Sequence, residues 1–387
     1  MDTQRSPIGV RQQEPLVTVP FVDLRVRDQA LKADLVAAAT AVLESGAFIL
    51  GPAVDECEQA LARRCGTRYA VGVASGTDAL LLTLRALGVG PGDEVLTPAN
   101  AFLSSTSVIA LAGARPLLVD VCEKDLNLDP ARLEALVTPR TKAMIVVHLT
   151  GRPAQLHPIL SMAQRYGLPV IEDCAQAIGA RYHGQPVGSF GIAGCFSFHP
   201  LKQLGAYGDG GAIVTSDPIL YKRLVMARNH GLRNRDQCAF WSVNSRLDTM
   251  QAAFLNVKLR YLDGWIAEHR AIAAGYCHQL TGVVQVPEEE PHEFSVYQTF
   301  IIQAAQRDAL QVALAKRGIE TRVHYPIPLH LQEPARALGY GPGDCPMAEQ
   351  LSQRILSLPI YPTLTAEQQE AVVAAIRDFY GDGGGGS

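Results

Sequence analysis

The sequence predicts an α/β fold, a largely parallel sheet with helices on both faces. Two observations carry that expectation. From about residue 69 to residue 229, short apolar strand patterns alternate with helical ones, which is the rhythm of a doubly wound sheet. The strand patterns are also continuous apolar runs rather than in–out alternations, as strands covered on both faces require.

A first helix is expected at 27–45, where Leu31, Leu35, Ala39, Val42 and Leu43 recur at helical spacing and Gly46 stops the pattern. A strand at 69–74 runs into Ser75-Gly76-Thr77, which opens a helix reaching Leu87 and ended by Gly88. Strands follow at 94–98, 116–121, 143–149, 169–173, 195–198 and 211–215, with helices at 100–112, 130–136, 155–166 and 218–229. A mostly helical stretch at 252–280 leads to a strand at 298–303, a helix at 307–317 and a strand at 319–324. Helices at 348–356 and 366–380 close the chain. The patterns divide it into an N-terminal arm (1–20), a large α/β domain (21–255) and a smaller α+β domain (256–380) joined to it by a long helix. The tail (381–387) ends in GGGGS, which reads as an artificial linker.

Composition narrows the function. The 387 residues hold 34 Lys+Arg against 38 Asp+Glu, a net charge of −4, so no basic surface favours nucleic acid. The longest apolar stretch, 108–121, is interrupted by Arg115 and Pro116 and is too short to span a membrane. Charged residues through 1–14 leave no apolar core for a secretory signal. Eight cysteines (57, 65, 122, 174, 195, 238, 277 and 345) form no C-x-x-C pair. The expectation is therefore reduced thiols, a cytoplasmic location, and neither a disulfide framework nor a metal site.

Three segments at predicted strand ends carry chemistry, since ligands of such sheets bind beyond the carboxyl ends of the strands. Ser75-Gly76-Thr77-Asp78 starts a helix, where free N–H groups suit a phosphate and a glycine allows close approach; an ordinary helix cap reads the same way. Glu172-Asp173 ends an apolar strand, so the two carboxylates point to opposite faces. A buried carboxylate needs a cationic partner or several donors; a protonated ring nitrogen can be that partner, whereas the ordinary reading is a cap of the next helix or a pair with an arginine. Lys202 follows a strand and precedes the glycine-rich run 205–211. In a dry cleft its pKa falls and it becomes a nucleophile toward an aldehyde, whereas on a surface it is one more solvated charge. Gly188, Gly191 and Gly194 form a GxxGxxG, but no ribose-binding acid follows at the distance a dinucleotide site requires. A phosphate site, a buried acid and a reactive lysine are together what pyridoxal phosphate needs.

The chain resembles the DegT/StrS-type nucleotide-sugar aminotransferases through a collinear set of segments: SGTDAL (75–80), HLTGRPA (148–154), IEDCAQAIGA (171–180), GCFSFHPLKQLGAYGDGG (194–211), NHGLRNRD (229–236), NSRLDTMQAAF (244–254), HYPIPLH (324–330) and LSLPIYPTLT (356–365). The resemblance implies the pyridoxal-phosphate transferase fold of type I: a large domain with a mostly parallel seven-stranded sheet, and a smaller C-terminal domain. It implies an amino transfer from an amino acid, L-glutamate by family habit, to a keto group of a nucleotide-linked sugar, with pyridoxamine phosphate as intermediate. Lys202 takes the place of the Schiff-base lysine and proton shuttle, Asp173 that of the acid at the pyridine nitrogen, and Gln176 that of the residue near the phenolate oxygen. Gly76, Thr77 and Ser197 match the phosphate cradle, and Phe102 the aromatic that stacks on the ring, or else packs in the core. Asn244 matches a residue that the neighbouring subunit lends to the phosphate, which implies a homodimer with shared active sites. Arg246 either binds a carboxylate or braces the interface, and Trp241 either faces a partner's site or packs at the interface. His324 and His330 resemble small-domain residues near the sugar, or else this His-rich segment is structural; its spacing suits no zinc site. Leu201 and Gln203 depart from the pattern beside the lysine. Related sugar dehydratases carry histidine at the lysine position, which Lys202 disfavours; a cofactor-binding regulator and an aminotransferase of keto-cyclitols remain as alternatives.

Overall fold

The computed structural model describes residues 18–381. Most of the expected N-terminal arm and nearly all of the tail therefore lie outside the described residues. A seven-stranded sheet forms the centre: β1 (Tyr69–Val73), β2 (Glu94–Pro98), β3 (Arg115–Val119), β4 (Thr141–Val147), β5 (Val170–Asp173), β6 (Ala193–Ser197) and β7 (Gly211–Thr215). Their spatial order is β1-β7-β6-β5-β4-β2-β3. Strands β3, β2, β4, β5 and β6 pair in parallel, and β7 runs antiparallel to both β6 and β1. A parallel neighbour needs a crossover, usually a helix. The segment between β6 and β7 contains none, so the chain simply turns back, and Lys202 lies in that turn.

The strands read as continuous apolar runs because each feeds two buried layers. On one side Met144 and Val146 join α2 (Pro52–Cys65), α5 (Leu156–Tyr166) and α7 (Thr249–Leu259). On the other, Ala143, Ile145 and Val147 meet α3 (Gly76–Ala86), α4 (Ser104–Leu111) and α6 (Pro218–Ala227). The long α1 (Gln29–Ser45) packs on α7 through Leu31, Leu35 and Val257. A second apolar cluster gathers around an antiparallel pair, β8 (Phe300–Gln303) and β9 (Ile355–Leu358), with α8 (Leu262–Leu280), α9 (Arg307–Lys316) and α11 (Ala366–Gly381). Residues 329–351 return to the large sheet's side, where Leu329, Ala335, Cys345, Ala348 and Leu351 are buried in the layer of α3 and α4.

Several elements differ from expectation. The apolar face of α2, Val54, Cys57, Leu61 and Cys65, is diluted by Asp55, Glu56, Arg63 and Arg64, so its pattern is easily missed; Pro52 at its first position is the surviving signal. The helix expected over 252–280 is two helices. Arg260 N–H bonds Val257 and Tyr261 N–H bonds Lys258, i→i+3 turns that end α7 and reset the axis. The expected strand at 319–324 makes only single bridges, Ile319 to Val19 and Arg322 to Ser357. The helix expected to reach 356 ends at Arg354, and its last residues become β9.

One side chain ties helix α10 (Pro346–Arg354) to the sheet. Its own cap residue, Cys345, offers no side-chain acceptor. Asp120, just past β3, supplies both: its oxygens accept from Met347 N–H and Ala348 N–H at 2.9 Å each. Asp120→Ala is expected to cost about 1–2 kcal/mol, the worth of a helix N-cap, read as a lower urea midpoint at unchanged slope.

Candidate active site

The turns at the carboxyl ends of β1, β5 and β6 build the site. After β1, Ser75 caps α3 by accepting from Asp78 N–H at 3.0 Å. A Cβ on Gly76 would lie 2.7 Å from the Cβ of Ser197 at the end of β6, so only glycine lets the two turns touch. Among the described residues no acceptor pairs with the Gly76 and Thr77 N–H groups, which leaves them facing outward from the helix start. Thr77 Oγ1 shares a 2.8 Å hydrogen bond with Ser104 Oγ at the start of α4, and Ser197 Oγ accepts from His199 N–H at 3.3 Å. Unpartnered N–H groups ringed by hydroxyls fit a phosphate.

At the end of β5 the two carboxylates part as strand geometry dictates. Glu172 is fully buried. It accepts from Gly188 N–H (2.7 Å), Phe190 N–H (2.8 Å) and Gly191 N–H (2.7 Å), and lies 3.0 Å from His148 Nε2. His148 Nδ1 accepts from Ala154 N–H at 3.0 Å, which fixes the proton on Nε2 and makes it a donor to Glu172. The GxxGxxG segment thus wraps a carboxylate rather than a nucleotide. His148, Glu172 and Cys174 lie close enough to hold a metal, yet both imidazole nitrogens and both carboxylate oxygens are already engaged.

Asp173 faces the other way. It is buried, and one oxygen accepts from Ala175 N–H at 3.1 Å. No arginine pairs with it among the described residues. Burial pushes its carboxyl above the usual range, and the nearby Lys202 charge opposes that shift. Lys202 shows the mirror effect: burial pulls its amine down, and Asp173 pulls it back up. The two groups therefore sense each other in a poorly solvated cleft, the setting that makes a lysine nucleophilic.

Other expected residues gather here or fall elsewhere. Phe102 is 54% exposed, its ring centroid 6.0 Å from that of Tyr325, so core packing is not its role. Gln176 Oε1 accepts from Thr150 N–H (2.8 Å) and its Nε2 donates to Tyr325 Oη (3.2 Å). His324 Nδ1 bonds Ser357 Oγ at 2.8 Å; burial first, then the Lys202 charge, pushes the ring down to about 4. That imidazole is neutral at neutral pH. Asn244 is exposed, away from any bond of its side chain to the cradle, although Ser245 beside it donates to Asp78 Oδ2 at 2.7 Å. Arg246 donates to Asn229 Oδ1 at 3.1 Å, a brace within the chain. Trp241 is 95% exposed. His330 corrects the expectation: it is wholly buried, its Nε2 held by Glu349 Oε1 at 2.9 Å, so it offers no surface to a sugar.

The backbone on either side of Lys202 is held by Gln298, which sequence reasoning missed; of the two departures only Gln203 uses its side chain, and nothing in the structure explains Leu201. Gln298 accepts from Gln203 N–H (2.9 Å) and donates to the Leu201 carbonyl (2.9 Å), while Gln203 Nε2 donates to the Val296 carbonyl (2.5 Å). The residues flanking the lysine are thus clamped to the segment before β8.

The pattern of the DegT/DnrJ/EryC1/StrS aminotransferase family matches residues 29–377. The chain belongs to that family. It is 44% identical to the "pleiotropic regulatory protein" of Geobacillus stearothermophilus, over 94% of this chain and 99% of the relative. It is also 44% identical to the dTDP-3-amino-3,4,6-trideoxy-alpha-D-glucose transaminase of Streptomyces venezuelae, over 93% of this chain and 96% of that one. Among solved structures, S. venezuelae DesV in complex with a ketimine intermediate superposes with a TM-score of 0.91 at 42% identity, covering 94% of this chain and 98% of that one. In this DegT-family aminotransferase, Ser104, Tyr325 and Gln298 touch the site's groups although the sequence does not single them out: Ser104 and Gln298 carry no local signal, and Tyr325 lies inside the HYPIPLH segment, where its bond to Gln176 depends on the fold.

Proposed function

We propose that this aminotransferase moves an amino group from L-glutamate to a keto group of a nucleotide-linked sugar, with pyridoxal phosphate as cofactor, as a homodimer in the cytoplasm. One observation carries the reading: Lys202 and Asp173 lie together in a poorly solvated cleft beside the Gly76–Ser197 contact. Gly76, Thr77 and Ser197 would hold the phosphate, Asp173 the pyridine nitrogen, and Phe102 the ring face. When bound, the cofactor supplies the electron sink that accepts the pair left at a deprotonated carbon, and it carries the amino group between substrates.

The chain's own residues do the rest. Lys202 Nζ takes the proton from the donor's α-carbon and returns it on the far side of the transfer, general acid–base work worth about 10²–10⁴-fold. The carboxylate of Asp173, raised in pKa while the site holds no cation beyond Lys202, gains most by pairing with a protonated ring. Gln176, its oxygen tied to Thr150 N–H, can turn only its amide hydrogens toward the site. Support for the dimer comes from Trp241 and Asn244, both exposed on the single chain; support for the cytoplasm comes from eight cysteines, all free.

A spectral titration tests the proposal. The protein loaded with pyridoxal phosphate should lose its visible band on addition of L-glutamate and regain it with one member of a panel of keto-sugar nucleotides. A regulator that does not turn over leaves the band unchanged with every donor, and recovery only with keto-cyclitols points to that substrate class instead.

A further inference from the structure

Residues 198–210 carry Lys202 from β6 to β7 without a helix or strand of their own. The segment curls on itself: Lys202 N–H bonds the His199 carbonyl (2.8 Å), Ala206 N–H the Phe198 carbonyl (2.7 Å), and Phe198 N–H the Gly210 carbonyl (2.8 Å). Gly205 sits inside the curl, where a Cβ would meet the Pro200 carbonyl oxygen at 2.6 Å. With its inner side filled, the Gly205 peptide turns its carbonyl toward α7. There it accepts a hydrogen bond from Lys258 Nζ.

The same ammonium lies 4.9 Å from the ring centroid of Tyr207 and 5.7 Å from that of Trp265. Two turns earlier on α7, Gln251 grips the next peptide but one. Its Oε1 accepts from Tyr207 N–H at 2.8 Å and its Nε2 donates to the Tyr207 carbonyl at 3.3 Å. Positions 251 and 258 share one helix face, so a single face of α7 holds the loop at two points, both within five residues of Lys202.

We propose that Lys258 is a positioning residue for Lys202: its ammonium, seated between two aromatic faces, pins the Gly205 carbonyl and thereby sets the reach of the Lys202 amine. The inference rests on the functional reading above, in which Lys202 moves the proton. The choice of a cation at 258 is informative. Among the described residues no carboxylate forms an ion pair with it, and burial holds its amine down at about 8. A half-buried ammonium without a counter-ion is costly, and here it is offset only by a carbonyl and a ring that belong to the lysine loop itself, together with Trp265. A charged donor holds a carbonyl about twice as firmly as a neutral one, which suits a loop whose displacement by about 1 Å slows a reaction up to roughly a hundredfold.

Lys258→Met keeps an unbranched side chain as far as Cε and removes both charge and donor. With the protein loaded with pyridoxal phosphate, it is expected to lower kcat by about tenfold to a hundredfold while KM for the amino donor stays within about twofold. Lys258→Arg returns a cation and donors to the same rings and should restore kcat to within about threefold. A Met variant with wild-type kcat, an Arg variant as slow as the Met variant, or a loss confined to KM overturns the proposal. If Lys258→Met does not fold, Gln251→Met decides: a lowered kcat at unchanged KM supports the two-point grip, and an unchanged kcat refutes it. A wild-type protein that takes up no cofactor is a different failure, because it removes the functional reading and leaves the clamp geometry standing.

Discussion

With Lys202 replaced by alanine, transamination is expected to fall by at least about 10⁴-fold, because the change removes both the cofactor's covalent anchor and the group that moves the substrate proton. The protein should keep its fold. Lys202 is half-buried and makes no side-chain hydrogen bond among the described residues, and the backbone of its turn is held by His199, Gln298 and Gln251. Stability even has a reason to rise slightly, since burial disfavours the charged amine. Lys202→Arg separates charge from chemistry. The guanidinium preserves a cation beside Asp173 but cannot give up its proton at any accessible pH, so it too should be inactive. The measurement is the rate of 2-oxoglutarate release from L-glutamate, with thermal midpoints recorded on the same samples. An alanine variant that retains about a hundredth of the wild-type rate, a loss no larger than general acid–base help alone can explain, removes Lys202 from the centre of the reaction.

The sequence makes the strands and the two central residues legible for a common reason: both are local signals. The segment Met144–Val147 divides its side chains between two buried layers, so it reads as unbroken apolar chain, and a carboxylate or an amine at the end of such a run stands out. Lys202 and Asp173 are visible for that reason. Gln298 and Lys258 are not, because they act on the lysine loop from positions 95 and 53 residues away from their bonding partners, and nothing in their own neighbourhoods marks them. His330 shows the converse. A histidine-rich segment suits a ligand contact and a structural role equally, and only the fold, by burying the ring against Glu349, favours the second. The reversed direction of β7 was legible in principle: no helix pattern lies between 198 and 211, and a parallel return needs one. The pairing partners of that strand depend on contacts across the sheet, which periodicity does not encode.

Glu172→Ala is expected to destabilise the protein by about 3–5 kcal/mol, since each buried donor left without a partner costs about 1–3 kcal/mol. Four donors meet at that carboxylate, the N–H groups of Gly188, Phe190 and Gly191 and the His148 ring, and the change strands all of them at once in a region closed to water. The glycines cannot move to find other partners. A Cβ at 191 would lie 2.2 Å from the Val170 carbonyl oxygen and one at 194 would lie 2.4 Å from the Gly188 Cα, so this loop is already packed against the strand it wraps. Glu172→Gln tests charge against shape. It fills the same space, but its amide brings two donors to a site already crowded with donors, so most of the loss should persist. Activity should follow stability by a traceable route. His148 N–H bonds the carbonyl of Asp173 at 3.1 Å, and the turn that begins at His148 supplies the Thr150 N–H that orients Gln176. Urea midpoints of the two variants, read beside cofactor affinity, decide the matter: a glutamine variant as stable as wild type means that the pocket of N–H groups does not need a carboxylate, and that the alanine variant loses its energy to the cavity and the stranded donors rather than to the missing charge.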